Sequence, residues 1–435
     1  METTTIITTI WQKSKLLVKG IIIGLLVLLL LIPTYFVQDL ISEREARQKE
    51  AFNEVSGKWA GKQNITGPVL VIPYNALKMD DKNNPGIVKK LAYFLPDKLN
   101  IKSSVTPQKK YRGIYQVMLF SADISITGKF SPLPLQALKL TPADLFLSEA
   151  YICTGISDAK GLKEEVQLTW NDSLLQMTPS AINNGVLRDG FLAPLNLAQA
   201  DIEKDINFST RLLVNGSQEL LFTPVGKETS VEIQSPWPDP SFSGSQLPDT
   251  SSINTKGFMA KWKSLSHTRN FPQAWKESSY EISSAAFGTN LFIPVNNYQK
   301  TLRSVKYAVL CILLTFTAFF LIETANKKSV HPIQYVLIGF ALILFYTLLL
   351  SFSEYIGFNA AYSIAAAATI GLITWFVKGI LGSFKLSALL SVVLILMYSY
   401  VFTILQLQDY ALLMGSIGLF LTLAVVMHFS KKVQW

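Results

Sequence analysis

Three histidines, His267, His331 and His428, stand in three separate contexts, and no HExxH or CxxC supplies further ligands of the zinc type. Asp201, Glu203 and Asp205 alternate, so on an extended strand they would share one face and could hold calcium. An EF-hand reading fails there, because Ile206 stands where the turn glycine belongs and Leu212 where the closing glutamate belongs. Asp81, Asn83 and Gly86 begin a similar loop, in which Ala92 fails the final position. Solvated turns are expected at both places. Neither GxxxxGK[ST] nor GxGxxG occurs, so no cradle of backbone amides is available for a phosphate. GxSxG is also missing, and His267 in SLSHTRN has no cue tying it to a serine and a carboxylate, which is the pattern of a surface histidine. Asp80-Asp81 and Glu164-Glu165 are chain neighbours that would point to opposite sides of a strand, so neither reads as an acid and base pair. The expectation is no catalytic residue, no cofactor and no metal.

The elements that would position any chemistry come from composition. Of 435 residues, 49% are hydrophobic and 16% charged, against about 25% in soluble chains. The deficit is local. Residues 41–304 hold 29 Lys+Arg and 25 Asp+Glu, an ordinary density, and the rest of the chain holds 10 and 5. Gly20 to Val37 is an uncharged apolar run long enough for a membrane helix. It is long for a signal peptide and no small-x-small cleavage site follows, so an uncleaved anchor is expected. Further spans are expected at 305–322, 333–352, 358–377, 386–406 and 410–429, which brings both termini to one side. Lys13, Lys15, Lys19, Lys327, Lys328, Lys378, Lys385, Lys431 and Lys432 all fall on that side, whereas the opposite short loops, 353–357 and 407–409, carry no cation. The excess of lysine predicts cytoplasmic termini and an exported domain at 38–304. Arg44, Arg47, Lys300, Arg303 and Lys306 run against this count, but long domains translocate largely regardless of charge. The net charge of +9 is thus chiefly orientation, not a basic coat for nucleic acid.

Inside the exported segment, 38–59 reads as a helical stalk with Glu43 to Arg47 and Glu45 to Lys49 at i,i+4 spacing. Beyond it, short runs rich in β-branched and aromatic residues at 68–74, 91–96, 113–130, 166–170, 208–214, 219–225 and 230–234 are strand signals, with only short helical interruptions, as near 142–147. They predict a β-rich, antiparallel, sandwich-like domain. Asn215-Gly216 reads as a hairpin turn between two of these runs. The segment 235–248, dense in turn formers, reads as a structural crossover with Trp237 and Phe242 packed back on the domain. Cys153 and Cys311 are poorly placed to pair, so no disulfide framework is implied.

Transporters usually place an ionisable group near mid-membrane. Here Lys306, Glu323, Glu354, Lys378, Asp409 and His428 all fall at span ends or in short loops, which argues against active transport. Small residues at 359–368 suit close helix packing, and Pro332 after His331 suits the first turn of a helix.

VKYAVLCILLTFTAFFLIE (Val305 to Glu323) and HPIQYVLIGFALILFYTLLLSFSEYIGF (His331 to Phe358) resemble the inner-membrane protein CreD family, also called cell envelope integrity proteins. So do GPVLVIPY (Gly67 to Tyr74), RGIYQVMLF (Arg112 to Phe120) and WPDPSFSGSQLP (Trp237 to Pro248), in the same order along the chain. The resemblance implies a Gram-negative inner-membrane protein with a large periplasmic domain. It also implies membership of the Cre two-component regulon and a link to envelope integrity, tolerance of E-group colicins and responses to β-lactams. The family assigns no catalytic residues. Lys306, Tyr307, Glu323, His331, Pro332, Gln334, Tyr335, Ser353, Glu354, Trp237 and Pro238 are motif positions of unknown role. The leading expectation is a non-enzymatic protein whose domain binds or senses an envelope or periplasmic partner, with membrane lipids as its other partner. One alternative is a membrane-bound enzyme acting on lipid or cell-wall intermediates through Lys306, Glu323, His331 and Glu354, which the expected topology puts near opposite faces. Passive lipid or solute passage through the C-terminal helices is the other.

Overall fold

The computed structural model describes residues 2–79, 85–180, 187, 190–276, 280–291, 297–326, 328–407 and 411–430. The chain forms two compact units, Met1–Lys49 with Val295–Trp435, and Glu50–Pro294. Its helices are α1 (Glu2–Trp59), α2 (Gln199–Ile202), α3 (Asn297–Lys306), α4 (Ala308–Ala325), α5 (Pro332–Ile356), α6 (Phe358–Leu381), α7 (Phe384–Gln406) and α8 (Ala411–Ser430).

Among the described residues, α1, α4, α5, α6 and α7 are the five helices long and apolar enough to cross a membrane. The last expected span falls on α8. Their surfaces explain the composition. Val27, Leu30, Thr34, Val37 and Ile41 of α1 are buried at alternating spacings of three and four, a seam that packs as in coiled coils, while Ile21, Leu25, Leu28, Ile32 and Phe36 face outward. Outward apolar side chains recur on α5 to α7 (Leu337, Leu344, Leu372, Val392, Leu396), as lipid-facing helices require. Gly339 of α5 lets α1 approach, since a Cβ there would come within 2.2 Å of Leu30 Cδ1. The chain breaks at Tyr307, so Val305 and Lys306 belong to a separate short helix and not to the apolar span that follows.

The second unit is a two-sheet structure. Its strands are β1 (Gln63–Met79), β2 (Pro85–Phe94), β3 (Lys98–Arg112), β4 (Tyr115–Phe130), β5 (Ala150–Ile156), β6 (Gln167–Trp170), β7 (Ser173–Gln176), β8 (Thr178–Ser180), β9 (Gly190–Leu195), β10 (Ile206–Ser217), β11 (Glu219–Thr223), β12 (Glu228–Ser235), β13 (Ser241–Gly244), β14 (Thr250–Asn254), β15 (Gly257–Leu265), β16 (Ala274–Lys276) and β17 (Phe287–Asn290). One sheet runs β13-β17-β11-β1-β5-β9-β8, with β2 on β1 and β16 on β2; the other runs β14-β15-β12-β3-β4-β10-β6-β7. One hydrophobic core draws on both sheets. Trp262 of β15 stacks on Phe287 of β17 at 5.8 Å, and Phe242 of β13 meets Trp262 edge-on at 5.6 Å.

Three details differ from the sequence reading. Each sheet contains one parallel pair, β1 with β11 and β3 with β12, so the sandwich is mixed and not purely antiparallel. Asn215-Gly216 is no turn: both lie inside β10, paired with Ser121 and Phe120 of β4. The Asn215 carbonyl accepts the Gln63 amide at 2.9 Å, and Gly216 makes room for the Phe120 ring, whose Cζ would lie 2.3 Å from an added Cβ. The bend falls instead at Gln218, in the left-handed region at φ 61°, after which β11 joins the other sheet. Asp201 lies in α2 and Glu203 just after it, so Asp201, Glu203 and Asp205 do not share a strand face.

Candidate functional site

Asp201 is a cap, its carboxylate accepting the Ala198 N–H at 2.7 Å, and Asp205 pairs with Lys129 at 2.8 Å. Among the described residues no group of three or more His, Cys, Asp or Glu could hold a metal. Asp80, Asp81 and Asn83 lie outside the described residues, as do Lys327, Asp409, Lys431 and Lys432. His267 is exposed in a single 3-10 turn. Cys153 and Cys311 are both buried, and neither is in a disulfide.

The crossover at 235–248 carries the chain from β12 in one sheet to β13 in the other. Trp237 is buried and its indole N–H donates to the Asp239 carbonyl at 2.8 Å, beside half-buried Pro238, with the Lys109 ammonium 5.5 Å from the Trp237 ring centre. These motif positions shape a loop.

A buried cation in this unit escaped the sequence reading. The Arg269 guanidinium donates to the carbonyls of Pro224 and Val225 at 3.0 and 2.8 Å and to Gln273, and stacks on Phe271. Burial pulls its pKa down to about 10. It ties the β11–β12 connection to the segment before β16. No spacing in the sequence announces such a tie, because the partners are backbone carbonyls 44 and 45 residues away.

In the membrane unit the polar motif positions gather into two clusters. The first centres on Glu323 near the end of α4. Its carboxylate is buried and accepts from the Lys19 ammonium of α1, from the Val330 N–H at 2.8 Å and from the Tyr335 hydroxyl at 2.7 Å; Lys19 also donates to the Val330 carbonyl at 2.8 Å. A carboxylate so deep is tolerated because charge and lone pairs are both matched. His331 caps α5: Nδ1 accepts the Ile333 N–H at 3.3 Å, and the His331 N–H donates to Gln334 Oε1 at 3.1 Å. Pro332, which has no N–H to satisfy, opens the helix.

The second cluster lies at the other end of α5. Glu354 accepts from the Tyr298 hydroxyl of α3 at 2.9 Å, and the Ser353 carbonyl accepts from the Asn297 amide at 2.9 Å. Ser353 turns its own hydroxyl to the Leu350 carbonyl at 2.9 Å. Lys306 is exposed and Tyr307 half-buried at the α3–α4 junction. Tyr335 and Glu354 are 19 residues apart on one helix, about 28 Å at 1.5 Å per residue. Lys306, Glu323, His331 and Glu354 therefore do not form one site. Lys19 and Tyr298 are the partners that sequence reasoning did not find.

Apolar-faced helices on either side of a large two-sheet insertion define a multi-span helical membrane protein carrying a β-rich domain. The chain matches the family described as "Inner membrane protein CreD" over residues 15–435, and it belongs to that family of inner-membrane proteins. It is similar to the inner membrane protein CreD of Escherichia coli (strain K12), being 28% identical over 416 residues that cover 94% of this chain and 91% of the relative.

Proposed function

We propose that this protein is a non-enzymatic component of the bacterial inner membrane that supports envelope integrity through its β-rich domain, which binds or senses an envelope or periplasmic partner. The observation that supports this best is the use made of the ionisable groups in the membrane unit. Glu323 and Glu354 are each engaged by fixed donors at opposite ends of α5, which leaves no common centre for acid–base chemistry. In this reading Lys19, Lys328, Lys378 and Lys385 mark the cytoplasmic side, both termini lie there, and residues 38–304 are periplasmic. Membrane lipids are the second partner, and nucleic acid is not one. The proposed role includes the Cre-regulated stress response, colicin tolerance and the β-lactam response. Protease added to spheroplasts should digest the β-rich domain and leave a protected C-terminal fragment. Digestion confined to inverted vesicles would reverse the topology. A deletion strain with parental sensitivity to detergent, E-group colicins and β-lactams would remove the envelope role.

A further inference from the structure

The sequence NYQKTLRSVK of α3 contains Lys300, Arg303 and Lys306 and no acid. Its inner face, Tyr298, Thr301, Ser304 and Val305, is buried against the bundle. Polar bonds fix where it sits: Asn297 and Tyr298 reach Ser353 and Glu354 at the end of α5, and Lys300 reaches Gln406 at the end of α7 at 3.4 Å, with its ammonium 5.6 Å from the Phe358 ring centre at the start of α6. Three helix ends therefore share one face of the bundle, and α3 is seated at that face.

Helix lengths set the depth. The 18 residues of α4 span about 27 Å, which matches a hydrocarbon core of about 30 Å, so the residues just before Ala308 lie at the headgroup layer. Exposed Tyr355 and half-buried Tyr307 flank the same face, the usual station of interfacial aromatics. The three cations recur every third residue and, among the described residues, enter no ion pair, while Glu354 at the end of α5 accepts from the Tyr298 hydroxyl. An amphipathic helix of this kind, held at the interface with unmatched positive charge, presents a surface complementary to phosphate esters.

We propose that α3 is a binding surface for the headgroups of anionic phospholipids, with Arg303 and Lys306 as the principal contacts and Lys300 at the rim. This gives a role to cations that run against the orienting charge pattern, and it deepens the lipid partnership proposed above by naming the lipid class and the residues. It rests on the seat of α3 at the bundle face and not on which side of the membrane that face lies, so the protease experiment can fail while this stands, and the reverse.

The test is native mass spectrometry of the full-length protein in neutral detergent, titrated with phosphatidylglycerol, with phosphatidylcholine, and with inorganic phosphate as competitor. The wild type should retain phosphatidylglycerol in preference to phosphatidylcholine. K300Q/R303Q/K306Q should lose that preference, at roughly fivefold in affinity per cation, with phosphatidylcholine unaffected. K256Q/K261Q in the β-rich domain, with the same kind of charge removed elsewhere, should behave as wild type. If the triple variant does not fold, R303Q and K306Q singly should each show the partial loss. Retention of the preference in these variants overturns the proposal, as does equal binding of both lipids by the wild type. Displacement of phosphatidylglycerol by millimolar phosphate would also overturn it, since the site would then be one for the free ion.

Discussion

Replacing the Lys19–Glu323 pair is the sharpest test of how the first helix is held to the rest of the membrane unit. Glu323→Leu removes the acceptor of three donors. The Tyr335 hydroxyl and the Val330 N–H lose their partner in a buried setting, each at a cost of about 1–3 kcal/mol, and Lys19 loses its counter-charge. Lys19→Met leaves the carboxylate with two neutral donors and no cation. Breaking one side of a buried pair typically costs about 3–5 kcal/mol; because the Lys19 side chain is 22% exposed, the lower value of about 3 kcal/mol is expected for each single change. The double variant K19M/E323L carries no unmatched charge and should lose only about 3–4 kcal/mol, so the cycle should return a coupling of about 2–3 kcal/mol. The assay is reversible unfolding of the full-length protein in mixed micelles of increasing sodium dodecyl sulfate, followed by tryptophan fluorescence. The coupling should survive 0.5 M salt, because a buried pair is poorly screened. Additive single effects, with coupling below about 0.5 kcal/mol, would show that the pair does not latch α1 to α4 and α5.

Two further outcomes concern the β-rich unit. Gly216→Ala places a Cβ 2.3 Å from Phe120 Cζ and 2.9 Å from Gln63 Cγ, so it should destabilise that unit by about 1–3 kcal/mol in a denaturant titration; a neutral result would mean that Phe120 moves freely. Hydrogen bonds from Arg211 to Asp123, from Lys58 and Arg112 to Glu54, and from Lys263 to Glu228 hold these carboxyls below their usual range. A carboxyl depressed in the folded state contributes stability above its unfolded pKa of about 4, and that contribution disappears as pH falls through the folded value. Thermal unfolding should thus be flat above about pH 5 and decline gently below it, gently because these pairs are exposed to water, and Arg211→Met should flatten the decline. An unchanged midpoint from pH 6 to pH 3 would contradict this.

The sequence made the membrane helices legible because lipid demands unbroken apolar length, which a single strand of text preserves. Strands were legible where β-branched and aromatic residues run together, as in Val69 to Ile72, but not in β5, where AYICTGI is buried on both faces yet broken up by Cys153 and Gly155. β3 and β15 were missed because lysines fill exposed positions of each: KLNIKSSV and GFMAKWKSL alternate buried residues with exposed ones and read as polar loops. Asn215-Gly216 misled because a glycine needed for an aromatic ring looks the same as one needed for a turn. The two polar clusters had their residues recognised but not their partners. Lys19 and Glu323 are 304 residues apart, and such a pairing is set by tertiary packing alone.

The two parallel pairings carry a consequence for how the chain is made. Gln63 of β1 finds Leu220 of β11, and Lys98 of β3 finds Glu228 of β12, only after more than a hundred intervening residues have emerged. At about 5–20 residues per second, β1 waits about 10–30 s for its parallel neighbour, with that edge unpaired. Such distant contacts are slow to form. A nascent chain of this protein is therefore a client for whatever shields open strand edges, and its yield should be set less by final stability than by the speed at which the second half of the domain arrives.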